Sequence, residues 1–574
     1  MNLLPFLISI LVSATSVTIT EPVDGEVYDG DWLMLKAIVE NEDELPDSVH
    51  YELNGSTPVP ITRLNTDWPT YMQNYQNNGF SQSVAPVDNS VLWSAPVTSE
   101  LHEFPTPVVV GGIAYYPSNY GTDSLYALDA ATGELVWKYR VGPTDDAVTV
   151  QNGRVYTASD SIFCFDALSG ALQWKSGLAD GGGGTPIVLG GKVYCGVYNF
   201  LEYQAYYSRV SCLDAGTGEE LWADTLWGYQ ASCMALWDNM LLVPTYLNGE
   251  HSPLYALEAS TGDPIWENTD SYGGYWDSSP NVFDGMIYIN GHDGYTRAID
   301  AESGATVWST QSSTGSVTAT SAFAYGRIFH ATQGTAGIYY CLEASNGDIV
   351  WTEPGTSQHG SSGIADGVVF YGEQNEFVQD SARVVARDCE SGDEIWSYAT
   401  SCGPYGGFQS SPSITDGVVY YACTDGYLYA FGTGLKYTYR EPYFYADIGS
   451  NELIVTSYDD GLAAASDTIS FTVTQQGFTV FPVNRLRLSV SPNPCSDLVR
   501  ISFSLPGPSM TSVVIYDLAG RAVAVLNSAE MSEGSHELVW DGRGESGERV
   551  SAGLYLCRVR SAEMAATTGV CLLR

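Results

Sequence analysis

Cysteine and histidine are the side chains that could bind a metal ion or form a disulfide in this chain. The 574 residues include eleven cysteines, beginning at Cys164, and seven histidines. They form no Cys-x-x-Cys pair and no zinc-ligand spacing, and no Asp-x-Asp-x-Asp-Gly calcium loop occurs. Cys164, Cys212 and Cys341 occupy a position that is Ala in four other copies of a repeat, which favours core packing over a disulfide or metal site. We therefore expect no metal site and, because the count is odd, at least one thiol that is free or paired between molecules.

Nucleophilic and acid–base catalysis have no sequence support either. Gly-x-Ser-x-Gly is absent, and Ser361, Ser362 and Gly363 lie in an ordinary Gly/Ser stretch. No spacing singles out two of the 67 acidic residues as a pair for sugar hydrolysis. Asp277 in YWDSSP and Glu373 in YGEQNE are acids to which the sequence assigns no role. We expect no catalytic residue.

The charge balance excludes several classes of partner. With 67 acidic and 23 basic residues the formal net charge is −44, which repels nucleic-acid phosphates and anionic lipid head groups. Hydrophobic residues make up 44% of the chain, enough for a packed core. The 59 Gly and 39 Tyr, with few long periodic runs, indicate an all-β chain. We expect a monomer that binds no nucleic acid and favours neutral or cationic partners.

The amino terminus predicts export. Residues 3–12 form a short apolar run, and Val12-Ser13-Ala14 follows the pattern of a cleavage site, so residues 1–15 are interpreted as a signal peptide. A buried first strand is the alternative, because no Lys or Arg precedes Lys36. No cysteine near this segment could carry a lipid anchor, and no later segment is apolar over the length that spans a bilayer.

A tryptophan repeat organises the middle of the chain. Its eight positions are Trp93, Trp137, Trp174, Trp222, Trp266, Trp308, Trp351 and Trp396. Seven of them close the same phrase, of which LYALDAATGELVW is the first, with Gly four residues and an acid eight residues before the Trp. In that phrase an alternating strand leads to a turn, in which the acid (Asp129) caps amides and Gly133 takes a left-handed conformation. The next strand ends in a Trp that can be buried between neighbouring units.

Eight further hairpins, such as GGKVY and DGVVY, stand ahead of the phrases. Two hairpins in every 37 to 48 residues predict four-stranded sheets, the blades of a β-propeller. The eighth unit ends at residues 416–431 without its Trp strand, whereas residues 90–93, ending in Trp93, form a spare strand at the other end. We therefore predict an eight-bladed β-propeller closed by an N-terminal strand, which leaves no exposed sheet edge at the junction.

These phrases resemble the repeats of pyrroloquinoline-quinone (PQQ) propellers over residues 66–435, and residues 67–74 (DWPTYMQN) resemble the entry segment of such proteins. The resemblance implies a disc shared by quinoprotein dehydrogenases and by an outer-membrane assembly lipoprotein that binds no cofactor. Those dehydrogenases hold PQQ with calcium ligands and stack it on a ring made by two adjacent cysteines. This chain has no Cys-Cys pair, so we expect no cofactor. A PQQ- and Ca-dependent alcohol or sugar dehydrogenase is the alternative.

The flanks of the propeller carry further β segments. Residues 16–65 contain three strand-like runs and residues 436–476 contain two more, and together they resemble the two halves of one immunoglobulin-like (Ig-like) sandwich. We predict that the propeller is inserted into that sandwich; two separate β segments packed on the disc are the alternative. Residues 477–485 are interpreted as a linker.

Residues 486–574 form a third β unit. Its S-P-N-P opening, I-Y-D-L-A-G-R turn and late G-x-Y resemble a carboxy-terminal sorting domain of type IX secretion, and a similar Ig-like fold occurs in flagellar-hook-cap proteins. The resemblance implies passage through the outer membrane of a bacterium with two membranes. A plain structural sandwich is the alternative.

Aromatic loops are the candidate ligand-binding residues. They lie in three segments rich in aromatics and glycine, and the candidates are Tyr203, Tyr206, Tyr275, Trp276, Tyr405 and Phe408. Exposed aromatics beside short polar groups suit sugar stacking or a protein-binding hot spot, whereas packing between wide blades is the alternative. The sequence thus predicts a secreted or surface-displayed propeller that binds a protein or polysaccharide and has no catalytic activity.

Overall fold

The computed structural model describes most of the propeller and parts of the flanking segments. The described residues are 16–21, 27–29, 32–40, 48–54, 58–97, 105–118, 122–144, 146–177, 184–198, 207–230, 232–313, 316–332, 337–355, 360–373, 382–400, 407–445, 449–459, 462–475, 487–491, 498–505, 509–516, 522–532, 534–544, 549–550, 553–561 and 564–572. Their regular structure is all β, as the composition predicts. None of these residues lies in a helix able to cross a bilayer.

Eight antiparallel four-stranded sheets follow the repeats in the described residues. From the inner to the outer strand they are sheet 1, Val108–Val110, Ile113–Pro117, Ser124–Asp129 and Leu135–Arg140; sheet 2, Thr149–Gln151, Arg154–Ala158, Ser161–Asp166 and Leu172–Gly177; sheet 3, Ile187–Leu189, Lys192–Tyr198, Tyr207–Asp214 and Glu220–Trp227; sheet 4, Ala235–Trp237, Met240–Pro244, Leu254–Glu258 and Pro264–Asn268; sheet 5, Asn281–Phe283, Met286–Asn290, Tyr295–Asp300 and Thr306–Gln311; sheet 6, Ala322–Ala324, Arg327–Ala331, Ile338–Glu343 and Ile349–Pro354; sheet 7, Gly363–Ala365, Val368–Glu373, Ala382–Asp388 and Glu394–Thr400; sheet 8, Ser413–Thr415, Val418–Ala422, Tyr427–Phe431 and Val91–Pro96. Two short additions are Phe80–Ser81, parallel to the inner strand of sheet 7, and a ribbon of Tyr246–His251 with Tyr272–Gly274.

These sheets are arranged as a β-propeller. Neighbouring inner strands contact or share a core cluster, and the inner strand of sheet 8, Ser413–Thr415, contacts that of sheet 1, Val108–Val110. Antiparallel connections then give two faces. The turn face carries the two-residue hairpins and the acid-glycine turns, and the loop face carries the second-to-third-strand loops and the links between sheets.

The outer strand of sheet 8 comes from the beginning of the repeat region. Val91–Pro96 pairs antiparallel with Tyr427–Phe431, with Trp93 opposite Ala430. This is the pairing that the missing eighth Trp phrase predicts. The ring is thus joined by a strand that precedes sheet 1 in the sequence.

Each repeat tryptophan links its own sheet to the next. The indole Nε1 donates to a backbone carbonyl at 2.8–3.2 Å, and the pairs are Trp93–Ala130, Trp137–Ala167, Trp174–Ala215, Trp222–Ala259, Trp266–Ala301, Trp308–Ala344, Trp351–Cys389 and Trp396–Pro86. In the first seven pairs the acceptor directly follows the turn acid. The glycine of that turn lies under the indole: a Cβ on Gly304 would stand 2.6 Å from Trp266 Cδ2. The Gly of one phrase and the Trp of the preceding phrase therefore form one contact between neighbouring sheets.

The turn acids cap the turns as the sequence predicts. Asp214 Oδ1 accepts from the amides of Gly216 and Thr217, each at 2.9 Å. Asp129 and Asp388 likewise accept from two turn amides, and Asp166 and Asp300 from one each. The hydrogen bond from Thr217 is the main reason why the pKa of Asp214 lies below its ordinary value. These carboxylates therefore serve the fold, at the turns between the two outer strands of their sheets.

Strands from both flanks of the propeller pair with each other. One sheet contains Ser16–Glu21, Trp32–Glu40, Lys436–Tyr445 and Thr62–Arg63, and the other contains Val27–Asp29, Leu462–Gln475, Gly449–Asp459, Ser48–Leu53 and Val59–Pro60. Leu35, Val39, Leu453 and Val455 are buried in their shared core. Residues far apart in sequence thus form one hydrophobic core.

This paired-flank unit contacts the turn face of the propeller. Asp416, in the hairpin turn of sheet 8, accepts from Arg63 Nη2 and Thr66 Oγ1, each at 2.7 Å, and its carbonyl accepts from the Lys436 amide at 2.6 Å. Lys36 Nζ lies 3.1 Å from Asp366 Oδ1 in the turn of sheet 7. Charge pairs at two hairpin turns therefore hold the unit to the disc.

The carboxy-terminal residues, from Gln475, form a separate compact unit. Its described strands make two antiparallel sheets, one of Arg487–Ser491, Val499–Leu505 and Gly534–Trp540 and the other of Ala522–Met531, Ser509–Tyr516, Gly553–Ser561 and Met564–Leu572. Trp540 lies in its core and donates through Nε1 to the Arg543 carbonyl at 2.9 Å.

Candidate functional site

The centre of the propeller is occupied by residues 68–79, which we name the axial segment. Its backbone carbonyls accept from the amide of the middle residue of six inner strands, at 2.7–3.0 Å; the donors are Val109, Val150, Leu236, Val282, Phe323 and Ile364. The inner strand of sheet 3 is bonded by a side chain instead: Tyr75 OH donates to the Val188 carbonyl at 2.6 Å. The edges of seven inner strands are therefore satisfied by one stretch of chain.

Side chains of the axial segment are buried against the surrounding sheets. Tyr71 and Met72 are buried, and the buried Asn77 donates through Nδ2 to the carbonyls of Met234 and Pro280 at 3.1 and 3.0 Å. Met72 adopts a positive φ of 49°, which is rare for a bulky residue and shows that the surroundings impose the path. The sequence identified the start of this segment as an entry segment but did not predict that it fills the axis.

Above the axial segment, towards the loop face, small polar side chains form a hydroxyl ladder. In each step the backbone amide of one residue donates to the side-chain hydroxyl of a residue before the next inner strand, at 2.8–3.1 Å. The donor–acceptor pairs are Cys233–Ser279, Ser279–Thr320, Thr320–Ser361 and Ser361–Ser411. Tyr71 OH joins the ladder through Thr320 and Ser361 at 3.0 and 2.8 Å. Ser361 therefore has a structural role in this ladder.

A small cavity remains between the axial segment and sheets 3 and 4. Its volume is about 10 Å³, and Tyr71, Asn77, Thr185 and Cys233 are among its lining residues. That volume holds about one water molecule. The Cys233 thiol lies 3.3 Å from Thr185 Oγ1 and 3.5 Å from Asp146 Oδ1, and burial raises its pKa well above the ordinary value, so it stays a neutral thiol.

A quinone cofactor does not fit this cavity. Sites for cofactors and drug-sized ligands measure about 300–1,000 Å³, which is at least an order of magnitude more than the space beside Tyr71. Among the described residues no three His, Cys, Asp or Glu side chains are grouped to hold a metal ion. The axis therefore acts as a filled core at the level of the axial segment.

The six aromatic candidates from the sequence have different positions. Tyr275 and Phe408 are buried, so the prediction that they face a ligand is wrong for both, and packing inside the propeller is their role. Phe408 packs edge-to-face on Tyr421, with ring centroids 5.8 Å apart. Trp276 is 39% exposed on the loop face. Tyr203, Tyr206 and Tyr405 lie outside the described residues.

Trp276 belongs to a larger group of aromatic side chains that we name the aromatic path. It runs across the loop face of sheets 3, 4 and 5 and comprises Tyr207, Trp227, Tyr229, Tyr246, Trp276 and His292. Tyr207 meets Trp227 edge-to-face with centroids 5.1 Å apart, and Tyr229 and Tyr246 exchange backbone hydrogen bonds at 2.7 and 3.0 Å. The ring centroid of Tyr246 lies 4.6 Å from that of Trp276 and 5.1 Å from that of His292.

Two glycines determine how the aromatic path is presented. Gly273 and Gly274 follow Tyr272 with positive φ values of 85° and 75°. A Cβ on Gly274 would lie 2.2 Å from the Thr245 carbonyl oxygen, so the ribbon approaches the loop of sheet 4 only because this residue is glycine. The tight path buries Tyr275 and turns Trp276 outwards. The Gly-Gly pair was visible in the sequence, but its partner, residues 246–251, was not identified there.

The charges beside the aromatic path are acidic or already neutralised. Arg297 is buried and forms a bidentate pair with Asp293, at 2.9 and 2.5 Å. Asp277 follows Trp276 directly and has a positive φ of 54°. Burial lowers the pKa of His292, which favours the neutral imidazole at neutral pH. The path therefore offers aromatic faces beside hydrogen-bonding groups, without a free cationic side chain among these residues.

The cysteines are core residues where the structure describes them. Cys164, Cys212 and Cys341 are buried free thiols, each opposite the Trp of the next strand. This confirms the packing interpretation of the repeat position. Burial raises the pKa of all three thiols.

Family models match two parts of the chain. A model described as outer membrane protein assembly factor BamB, of the PQQ-repeat type, matches residues 121–199 and 207–433, more than half of the chain. A model described as the FlgD Ig-like domain matches residues 496–564. No curated protein matches the chain in sequence.

Solved structures share the fold at low identity. A europium-containing methanol dehydrogenase has a TM-score of 0.53 and 15% identity, over 64% of this chain and 98% of the other. A quinohemoprotein alcohol dehydrogenase from Comamonas testosteroni has a TM-score of 0.52 and 16% identity, over 68% of this chain and 82% of the other. Similarity at this level is evidence for the β-propeller fold only.

Proposed function

The chain belongs to the PQQ-repeat family described by the BamB model, and from that premise we propose that it is an exported or cell-surface β-propeller that binds a protein or polysaccharide and catalyses no reaction. The eight repeat sheets are its blades, closed as one disc by Val91–Pro96. The paired flanks, residues 16–65 and 436–476, are one Ig-like domain into which the disc is inserted. Residues 1–15 serve as a signal peptide.

The filled axis is the observation that carries the non-catalytic part of the proposal. In the part of the chain that the structure describes, the axis contains residues 68–79, which are bonded to seven inner strands, and the cavity beside Tyr71 has space for about one water molecule. The exposed aromatic path supports the binding part, since exposed Trp and Tyr supply much of the energy at recognition surfaces. The acidic charge of −44 supports solubility outside the cell.

The carboxy-terminal unit is proposed as a sorting domain. Its match to an Ig-like model over residues 496–564 supports a fold that such domains share, and the S-P-N-P opening supports the sorting role. Localisation would then be extracellular or at the outer-membrane surface. Expression of the chain with and without residues 486–574 in a bacterium with type IX secretion tests it: we expect the truncated chain to stay behind the outer membrane.

A PQQ- and Ca-dependent dehydrogenase is the second candidate, favoured by the fold it shares with two alcohol dehydrogenases. Titration of the purified chain with PQQ and Ca²⁺, followed optically and by dye reduction with alcohols, separates the two candidates. We expect no saturable binding and no turnover. Saturable binding with turnover would replace the recognition proposal by the enzyme.

The recognition proposal itself is tested by measuring how the fluorescently labelled protein binds to cells of the source bacterium. We expect saturable binding that is reduced when Trp276 or Trp227 on the loop face is replaced by Ala. Absence of cell binding, or binding that neither replacement affects, would reject recognition through this surface.

A further inference from the structure

We propose that the aromatic path binds an extended, uncharged polysaccharide, an inference that rests on the recognition function proposed above. Among the described residues, the exposed large hydrophobic side chains at the loop face of these three sheets are aromatic: Tyr207, Trp227, Tyr272 and Trp276. A sugar ring presents a face of C–H groups with hydroxyls around its edge. Such a ring stacks on an aromatic face while its hydroxyls bond to nearby polar groups.

The rings are fixed before a ligand arrives. Trp276 is held edge-to-face by Tyr246, which itself rests on His292. Tyr246 is anchored in turn by backbone bonds with Tyr229 in both directions. Because these contacts already restrict the indole, little side-chain entropy is lost on binding, which matters for ligands whose single contacts are weak.

The polar groups match the edge of a sugar. Asp277 places a carboxylate directly after Trp276, and His292 supplies a largely neutral imidazole beside Tyr246. Both kinds of group can bond to hydroxyls, the carboxylate as acceptor and the neutral imidazole as donor or acceptor. Arg297, which could have attracted an acidic sugar or a phosphate, is committed to Asp293.

The extent of the path and its charge define the ligand further. Aromatic rings occur on three consecutive sheets, from Tyr207 on sheet 3 to His292 on sheet 5, which suits a polymer more than a single small molecule. An anionic polysaccharide is repelled by a chain of net charge −44. Arg is typical of protein-binding hot spots. Here Arg297 is buried and paired with Asp293, and Arg209, two residues after Tyr207, is paired with Glu220 at 2.6 Å, so a glycan is favoured over a protein.

Affinity electrophoresis of the full chain through gels containing a β-glucan, an α-mannan, a xylan or alginate tests the inference. We expect at least one uncharged polymer to retard the chain, with little change in concentrated salt, and alginate to have no effect. Trp276→Ala and Trp227→Ala should each weaken retardation about tenfold or more, as loss of one stacking platform does elsewhere. Trp276→Phe should recover part of the loss, because it restores an aromatic face.

Tyr427→Ala is the matched control. Tyr427 is 41% exposed on the same face but belongs to sheet 8, across the ring from the path, so its loss should leave retardation unchanged. Equal melting temperatures of the variants show that they are folded. Retardation by none of the uncharged polymers, or retardation unchanged in Trp276→Ala, rejects the glycan inference. If protease treatment of cells removes loop-face binding while the polymers have no effect, the partner is a protein and only the recognition function stands.

Discussion

The indole Nε1 of Trp396 donates to the carbonyl oxygen of Pro86 at 3.0 Å, across 310 positions of the sequence. The seven other repeat tryptophans donate to the residue after the turn acid of the following sheet. Sheet 8 has no such turn, because its outer strand comes from the start of the repeat region. Pro86, in the segment leading to that strand, supplies the missing acceptor.

Replacement of Trp93 by Ala should destabilise the whole propeller. Trp93 is buried against Gly133 and Tyr420 in the strand that joins the two ends of the ring. Loss of a buried indole costs about 3–5 kcal/mol of unfolding free energy. Urea unfolding followed by fluorescence and circular dichroism measures it. Val91→Ala, in the same strand but exposed, should cost less than about 1 kcal/mol, and equal costs for the two variants would contradict closure through Trp93.

Gly304→Ala should be far more costly than Gly153→Ala. Both glycines have φ of +72°, so both variants suffer the same backbone strain of about 1–2 kcal/mol. At Gly153 the added Cβ meets no atom within 4 Å, whereas at Gly304 it lies 2.6 Å from Trp266 Cδ2. Overpacking there should add about 1–3 kcal/mol. A difference in unfolding free energy near zero would show that the indole moves aside freely.

His330 should make the propeller sensitive to mild acid. It is buried between the Thr296 hydroxyl, 3.3 Å from Nε2, and the stacked ring of Tyr340, and burial lowers its pKa to about 3. In the unfolded chain His330 binds a proton near pH 6.5, whereas in the folded chain it stays neutral down to about pH 3. The stability contributed by the buried neutral imidazole is therefore fully present above pH 6.5 and is lost as the pH falls from 6.5 towards 3. The folding equilibrium should weaken about tenfold per pH unit in that window.

Urea unfolding of His330→Gln at about pH 7 and about pH 5 checks this prediction. The variant should lose part of the pH dependence, whereas His251→Gln, at an exposed position, should retain it. The same pH dependence in His330→Gln and in the unchanged chain would mean that other groups control the acid response.

Asp416→Asn should loosen the paired-flank unit from the disc. The Asp416 carboxylate is mostly buried and accepts from both Arg63 and Thr66. Hydrogen bonds to charged groups contribute about 1.5–3 kcal/mol each, so a loss of that order is expected. Limited proteolysis within residues 55–66 should accelerate. Asp366→Asn, whose carboxylate is 43% exposed beside Lys36, should change the rate little, because exposed pairs contribute about 0–1 kcal/mol.

The repeat phrase carried most of the fold information. The Gly and the Trp at its end, as in Gly304 and Trp308, predicted the turn and the strand order, because a tight turn and a buried indole each allow few residue types. The flank pairing of Trp32–Glu40 with Lys436–Tyr445 followed from unpaired half-sheets. The axial segment escaped prediction because main-chain hydrogen bonds leave no signature in side-chain type.

The candidate site was predicted less well. Trp276 and its neighbour Tyr275 look alike in sequence, yet one is exposed and the other buried, since the direction of each side chain is set by Gly273 and Gly274. Tyr246 was missed because it comes from an insertion between the second and third strands of sheet 4, whose pairing with Tyr272–Gly274 is non-local. Burial in loops depends on such contacts and not on local periodicity.

The axial segment also has a consequence for the order of assembly. Residues 68–79 precede every complete blade in the sequence, as does Val91–Pro96, whose partner strand Tyr427–Phe431 comes last. The axial segment is therefore available from the start of folding, and each sheet can dock on it in the order of the sequence. Until the last repeat is synthesised the disc remains an open arc, and a chain cut short before residue 427 keeps that arc permanently unjoined.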